Sequence, residues 1–101
     1  METSDVAPTH ELELYITGAT PNSVRAVRHL KALCERYLAG RYALRIIDIY
    51  QEPAQAQAAQ IVAAPTLVRL RPLPRRLLVG DLSNQAVVLN ALGIEISDFS
   101  I

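Results

Sequence analysis

The sequence of 101 residues is poor in cysteine, with Cys34 alone, and it has no tryptophan. A single cysteine excludes an internal disulfide and also the paired thiols of a Cys-x-x-Cys redox motif. Cys34 falls on the apolar side of a predicted helix, where a free thiol behaves as a small hydrophobic group. We therefore predict that Cys34 is a core residue and that the protein does not catalyse thiol exchange.

An excess of charge of one sign is also missing, because ten acidic residues balance ten Lys and Arg residues. A chain without net charge is not predicted to bind nucleic acid or an anionic membrane. The first residues, METSDVAPTHELEL, lack the apolar segment of a signal peptide, and no apolar run is long enough to span a bilayer. We expect a cytoplasmic protein with no nucleic-acid and no membrane partner.

Half of the residues are hydrophobic and a fifth are charged, which is typical of a folded domain. The length allows one hydrophobic core but not two. We predict a flexible lead-in over residues 1–10, a single domain over residues 11–93 and a tail over residues 94–101.

The first half of the domain has a strong pattern. Residues 11–17 alternate between apolar and polar side chains and predict a strand, and the aliphatic residues 42–49 predict a second one. Between them, Thr20 and Pro21 suit the N-cap and first turn of a helix, and Gly40 suits its end. This succession predicts a βαβ unit with parallel strands. The predicted apolar stripe of the helix consists of Val24, Val27, Leu30, Leu33, Cys34, Tyr37 and Leu38.

The second half begins with weaker signals. Pro53 can start a helix, which we extend to Val62, although its apolar side is mostly alanine. The residues of that side are Ala54, Ala58, Ile61 and Val62. Residues 66–71 and 75–79 predict an antiparallel hairpin around the Pro72-Leu73-Pro74 turn.

A last helix follows the hairpin. Ser83 is predicted as its N-cap, with a hydrophobic contact between Leu82 and Val87, and Gly93 as its end. Residues 94–96 have the composition of a short additional strand. The complete order, βαβαββα, predicts an α/β single domain of the thioredoxin-like type.

Pro65 lies where thioredoxin-like proteins place a cis-proline, opposite the start of the first helix. The thiols expected there are absent, so a hydroxyl site for glutathione is one hypothesis, with Ser23, Pro65 and Ser83 as its contacts. A simpler hypothesis is that Thr20 and Ser83 only cap helices. We keep a small glutathione-binding or thiol-handling enzyme as the alternative function.

Four arginines flank the Pro-Leu-Pro turn, and they form either a contact for a protein partner or a solvated hairpin that protects a sheet edge. His10 and His29 have no second ligand at a metal-site spacing, so we predict neither a metal nor another cofactor. The arginines are Arg69, Arg71, Arg75 and Arg76.

Three runs together resemble one family. They are LYITGATPNSVRAVRHLK, YALRIIDIYQEP and AAPTLVRLRPLPRRLLVGDLSN, followed by VVLNAL. From about Leu12 to Leu92 the chain is similar to the circadian clock family KaiB, and the combination of TPNSVRA with PLPRRLLVGDLS is specific to that family.

The resemblance implies a non-enzymatic adaptor that binds the ATPase ring of KaiC, sequesters KaiA and displaces a sensor histidine kinase. We expect a KaiC-like ATPase as the partner, in a clock or in stress-adaptation signalling. Gln51 and Glu52 would lie in the contact with this ATPase, together with the four arginines of the hairpin.

The resemblance also implies two folds: a ground-state fold, often tetrameric, and a thioredoxin-like fold that binds KaiC. The C-terminal half is rebuilt between them, and the slow rotation of X–Pro bonds would slow the exchange. Local patterns favour the thioredoxin-like fold, with the ground-state fold as the alternative, and a homo-dimer or homo-tetramer stays open. The residues assigned to the switch are Pro65, Pro72, Pro74, Gly80 and Asp81.

Overall fold

The computed structural model of the protein describes residues 7–94. Within this range, no helix is long and apolar enough to cross a membrane. The elements are β1 (His10–Ile16), α1 (Pro21–Tyr37), β2 (Tyr42–Asp48), α2 (Pro53–Ala58), β3 (Thr66–Arg71), β4 (Arg76–Val79) and α3 (Gln85–Leu92).

The four strands form one sheet in the order β2-β1-β3-β4. β1 runs parallel to β2 and antiparallel to β3, and β3 and β4 form an antiparallel hairpin. The predicted βαβ unit and the thioredoxin-like order βαβαββα are therefore confirmed. Because β1 lies in the middle of the sheet, both of its faces need a cover.

Helices α1 and α3 cover one face of the sheet and share a core cluster with Leu12 and Leu14 of β1. The predicted stripe of α1 is right in its C-terminal part but wrong at Val24, which is 42% exposed. Ser23 faces the sheet instead, because its hydroxyl accepts a hydrogen bond from the backbone N–H of Thr17. The buried residues of α1 are Ser23, Ala26, Leu30, Leu33 and Cys34.

Helix α2 covers the other face and is shorter than predicted. It ends at Ala58 rather than at Val62, which is 96% exposed. Gln60 has a φ of 61° and so leaves the helical conformation. An alanine-rich segment has little apolar surface with which to hold a further turn against the sheet. The buried residue of α2 is Ala56, which the predicted apolar side did not include; it packs with Tyr15, Ile47 and Val68.

The polar side of the alternating β1 pattern is buried under α2. Tyr15 is completely buried and Glu13 is 8% exposed. The Tyr15 hydroxyl donates a hydrogen bond to Glu13 (2.8 Å), and Arg45 pairs with the same carboxylate (3.0 Å). Burial, and then the hydrogen bond to Glu13, raise the pKa of Tyr15. Both sides of β1 are thus buried: one side is apolar, and the other is polar and hydrogen-bonded.

The N-cap of α3 is Asn84, not Ser83, and its side-chain oxygen accepts a hydrogen bond from the N–H of Val87 (3.2 Å). Because the helix begins one residue later than predicted, Leu82 and Val87 do not hold the positions that the prediction gave them relative to the cap; Leu82 is buried, whereas Val87 is 45% exposed. Gly93 ends the helix with a φ of 76°, as predicted.

His10, which we assigned to the lead-in, is the first residue of β1. Its Nε2 donates a hydrogen bond to the carbonyl oxygen of Leu92 at the end of α3 (2.8 Å). Of the short strand suggested for residues 94–96, Ile94 follows α3 outside any strand, and Ile96 lies outside the described residues.

Candidate functional site

One end of the sheet, where β1 finishes and β3 begins, has the backbone geometry of a thioredoxin-like site; we call it the Pro65 end. The Ala64–Pro65 peptide bond is cis, and Pro65 itself is buried. Opposite it lies the N-terminus of α1. The pocket between them is lined by Thr17, Thr20, Pro21, Asn22 and Ala64.

Three hydroxyl groups lie beside Pro65 at the N-terminus of α1. The Ser23 hydroxyl accepts hydrogen bonds from the N–H of Thr17 (3.0 Å) and the hydroxyl of Thr20 (2.9 Å). Ser23 is only 1% exposed. Thr20 holds the N-cap position, as predicted, but its side chain bonds to Ser23 rather than to the helix backbone. Ser23 is therefore a structural residue that cannot reach a thiol in solution, which removes the main support for the glutathione hypothesis.

Cys34 lies in the middle of α1 and is completely buried in the core, as predicted. Burial, and secondarily the nearby charge of Glu35, raise the pKa of Cys34 to about 12. At neutral pH the side chain is then a thiol rather than the thiolate that nucleophilic or redox chemistry needs. Cys34 stabilises the core and does not contribute a reactive group to the Pro65 end.

The loop from β4 to α3 is fastened to α1 through Asp81. The Asp81 carboxylate lies 3.5 Å from Arg25 Nε, and His29 Nδ1 donates a hydrogen bond to the Asp81 carbonyl oxygen (2.8 Å). Hydrogen bonds from the hydroxyl and N–H of Ser83, and then Arg25, lower the pKa of Asp81. Gly80 precedes this contact with a φ of 133°, which favours glycine. Of the predicted switch residues, Asp81 thus joins the second half of the chain to α1, and Gly80 directly precedes it.

The four arginines of the hairpin fall into two groups. Arg71, Arg75 and Arg76 are exposed, whereas Arg69 is only 5% exposed. The Arg69 guanidinium donates hydrogen bonds to the carbonyl oxygens of Ala91 (3.0 Å) and Pro74 (2.8 Å). In this fold the Arg69 guanidinium is therefore engaged internally, and the contact of Arg69 with a partner stays a prediction.

The predicted partner-binding residues lie at opposite ends of the sheet. Gln51 and Glu52 follow β2 at the Pro65 end, while the hairpin arginines lie where β1 begins. Helix α2 spans this distance, since it starts after Glu52 and since Arg75 donates a hydrogen bond to the carbonyl oxygen of its C-cap, Ala59 (2.8 Å). Gln51, Glu52 and Arg75 thus share one surface along α2, which we call the α2 surface. Arg71 and Arg76 lie on the opposite face of the sheet, because they alternate with Leu70 and Leu77 and share the face of Arg69.

Sequence reasoning missed the way in which the end of α3 is held. Arg69 from β3 and His10 from β1 donate to two of its last carbonyl oxygens, a favourable arrangement at the negative end of a helix. A Cβ at Gly93 would lie 3.0 Å from Arg69 Nη1, so a side chain there would displace the guanidinium slightly, and the positive φ of 76° independently favours glycine. The available signal was the position of Arg69 on an inward-facing side of its strand, which indicates a buried arginine. We assigned Arg69 to the surface instead.

Comparisons with known proteins agree with this arrangement. The model of the KaiB domain family matches residues 13–94. The chain is 45% identical over 86 residues to the circadian clock oscillator protein KaiB of Synechococcus elongatus, covering 85% of this chain and 84% of that protein. It is 43% identical over 91 residues to the KaiB of Trichodesmium erythraeum, covering 90% and 88%.

Solved structures support the fold. The N-terminal domain of SasA from Synechococcus elongatus superposes with a TM-score of 0.69 at 21% identity, covering 89% of this chain and 86% of that one. Mitochondrial thioredoxin 3 from Saccharomyces cerevisiae gives 0.70 at 15% identity, covering 85% and 78%. At these identities the likeness establishes a thioredoxin-like fold and nothing about activity.

Proposed function

Since the chain belongs to the KaiB family of circadian clock proteins, we propose that it is a non-catalytic adaptor that binds a KaiC-like ATPase ring. Through this ring it modulates clock or stress-adaptation signalling. The observation that carries the non-catalytic part is the Pro65 end, where the hydroxyls of Thr17, Thr20 and Ser23 bond to one another and Cys34 lies buried elsewhere. A thioredoxin-like frame without an accessible thiolate favours recognition over redox chemistry.

The binding surface in this proposal is the α2 surface. Gln51 and Glu52 are exposed at its start, and Arg75 is exposed at its other end. Two other proposed contacts, Arg71 and Arg76, are exposed beyond that end, on the opposite face of the hairpin. A surface with an acidic and a basic end fixes the orientation of a partner, because each end repels the wrong charge. The SasA domain has the same fold, so a sensor kinase with such a domain would compete for the same site on the ring.

The proposal includes a change of fold in the C-terminal half. The residues assigned to it are Pro65, Pro72, Pro74, Gly80 and Asp81, all of which follow α2. In support, this half contains the six-residue α2 and depends on contacts with the first half through Arg25 and His29. Two packings within a few kcal/mol of each other are plausible for such a segment.

The experiment is to mix the protein with the KaiC-like ATPase of its host and ATP, and to follow the complex by size-exclusion chromatography over hours. A complex that forms slowly supports an adaptor that must change fold, while immediate binding means that the thioredoxin-like form is already competent. No complex with an intact ring would contradict the proposed function.

Charge variants test whether the α2 surface is the binding site. Arg75→Glu and Glu52→Arg should each weaken the complex, by roughly tenfold or about 1.4 kcal/mol. Arg28→Glu is the matched control, because Arg28 is an exposed arginine on α1, away from that surface. Equal losses for all three variants would point to a general effect of charge rather than to this surface.

A further inference from the structure

His10 forms hydrogen bonds through both of its ring nitrogens. Its Nε2 lies 2.8 Å from the carbonyl oxygen of Leu92 at the end of α3, and its Nδ1 lies 3.0 Å from the hydroxyl oxygen of Thr9. The Thr9 hydroxyl in turn donates a hydrogen bond to the carbonyl oxygen of Arg41, directly before β2 (3.1 Å). The ring thus connects the start of β1, the loop before β2 and the end of the last helix.

The number of protons in these contacts indicates the form of the imidazole that suits them. A carbonyl oxygen can only accept, so Nε2 must carry the proton that faces Leu92. The single proton of the Thr9 hydroxyl is directed to Arg41, so the hydroxyl oxygen accepts from Nδ1. Both ring nitrogens are then donors, which is the pattern of the imidazolium cation.

The neutral imidazole makes one contact fewer. With its proton on Nε2, the ring keeps the bond to Leu92, but the Thr9 hydroxyl must turn its proton from Arg41 to Nδ1. With its proton on Nδ1, two acceptors would face each other at 2.8 Å, namely Nε2 and the Leu92 oxygen. The Arg41 oxygen also accepts from the N–H groups of Thr9 and His10, so loss of the hydroxyl bond leaves the strand in place. The change in protonation therefore acts on the end of α3.

The charge of the ring matters because His10 faces the carbonyl end of a helix, which attracts a cation. The Arg69 cation lies at the same end and opposes protonation, but its guanidinium is bonded to other carbonyl oxygens. In the described part of the chain α3 has no charged residue, and the charged or titratable groups on the other neighbouring elements are Arg69 and Arg71 on β3, Glu11 on β1, Tyr42 on β2, Glu35 on α1 and Arg41 in the loop before β2. Unlike all of these side-chain types, histidine normally changes its charge between about pH 5 and 8.

We propose that His10 binds a proton in mild acid and then holds the end of α3 more strongly, so that the anchoring of this helix depends on pH. The protonated ring makes all the contacts at once and adds a charge at the negative end of α3. Because the folded protein then holds this proton more tightly than the unfolded chain, the stabilisation is present in mild acid and is lost as the pH rises. This inference does not depend on the proposed function.

Urea unfolding of the full chain with His29→Gln tests the proposal, because His10 is then its only histidine. The matched protein also carries His10→Gln, since glutamine can donate to Leu92 but does not titrate. At about pH 5.5 we expect the unfolding constant to be roughly fivefold smaller with His10 than with glutamine, and at about pH 8 we expect nearly equal constants. A ratio that is the same at both pH values, or larger at the higher one, would overturn the proposal.

Nitrogen-15 spectra of the His10 ring in the His29→Gln protein locate the protons even if His10→Gln fails to fold. Both nitrogens should be protonated at about pH 5.5, and Nε2 alone at about pH 8. A ring that is neutral at the lower pH, or that carries its proton on Nδ1 at the higher one, would refute the proposal.

Variants of Thr9 test the second contact of the ring. Thr9→Ala removes the acceptor for Nδ1 and should reduce the dependence of the unfolding constant on pH. Thr9→Ser keeps the hydroxyl and should retain that dependence. A dependence that Thr9→Ala leaves unchanged, or that both variants reduce equally, would contradict the arrangement of protons on which the proposal rests.

Discussion

The two halves of this domain are held together by different means. In the first half, α1 has 17 residues and buries a continuous side against β1, from Ser23 to Cys34. In the second half, α2 has six residues, and α3 buries Val88, Leu89 and Leu92 in the common core. The ends of α3 and the hairpin are held in addition by single hydrogen-bonding residues, namely Arg69, Asn84 and Asp81. Distributed apolar packing resists local opening, whereas individual contacts can be lost one at a time. This difference in how the two halves are stabilised predicts that the first half stays rigid while the second half can change its fold.

The largest expected effect is in the first half. Leu30→Ala removes a completely buried side chain of the core and should lower the free energy of unfolding by about 2–5 kcal/mol. Val24→Ala, at a 42% exposed position of the same helix, should cost less than about 1 kcal/mol. Urea unfolding followed by circular dichroism measures both. Similar losses for the two variants would mean that the α1 core is not packed as described.

The next effect concerns the second half. Arg69→Ala removes two hydrogen bonds of a buried guanidinium, and we expect a loss of about 2–3 kcal/mol. Hydrogen exchange should show faster opening of β4 and α3 with little change in β1. Arg69→Met keeps an apolar stem of similar length but removes the charged head, so it distinguishes the packing of the stem from the hydrogen bonds of the guanidinium. Arg71→Ala, at an exposed position of the same strand, is the control. Faster exchange in β1 and β4 alike would contradict a local role.

A smaller effect distinguishes the two candidate caps of α3. Asn84→Ala removes the side-chain acceptor for the N–H of Val87 and should cost about 1 kcal/mol. Ser83→Ala should cost less than Asn84→Ala, because Ser83 lies before the cap and its exposed side chain supports only the Asp81 carboxylate. Thermal unfolding measures the loss of stability in both variants. A larger loss for Ser83→Ala than for Asn84→Ala would mean that Ser83 is the cap.

The smallest effect depends on pH. The pKa of Asp81 is lowered in the folded protein by Ser83 and Arg25, so its carboxylate contributes stability above its unfolded pKa of 3.8. That contribution is lost as the pH falls through the lower folded value. The stability difference between wild type and Asp81→Asn should therefore be constant near neutral pH and shrink in acid. A difference that grows in acid would contradict the sign of the shift.

The sequence predicted the fold well where one physical signal dominated. β3 has the predicted bounds of residues 66–71, because an apolar run between two prolines leaves little choice. Cys34 and Leu30 were placed in the core by helical periodicity alone. These signals are local, so no knowledge of the partner elements was needed.

The predictions failed where burial depended on a distant element. The polar side of β1 is covered by α2, and no local pattern shows that Tyr15 and Glu13 would be hydrogen-bonded in the interior. The arginines near the turn look alike in the sequence, and only the position of the end of α3 makes Arg69 internal. The partner-binding roles of Gln51, Glu52, Arg69, Arg71, Arg75 and Arg76, and the switch, stay predictions.

The most direct test of the difference between the two halves is native-state hydrogen exchange, residue by residue, on the free protein in increasing denaturant. We predict that the slow amides of β4 and α3 exchange through an opening that costs clearly less free energy than global unfolding. Those of β1 and α1 should exchange only by global unfolding. A single opening free energy shared by the slow amides of both halves would contradict the account, since the second half could then not be rebuilt while the first half stays folded.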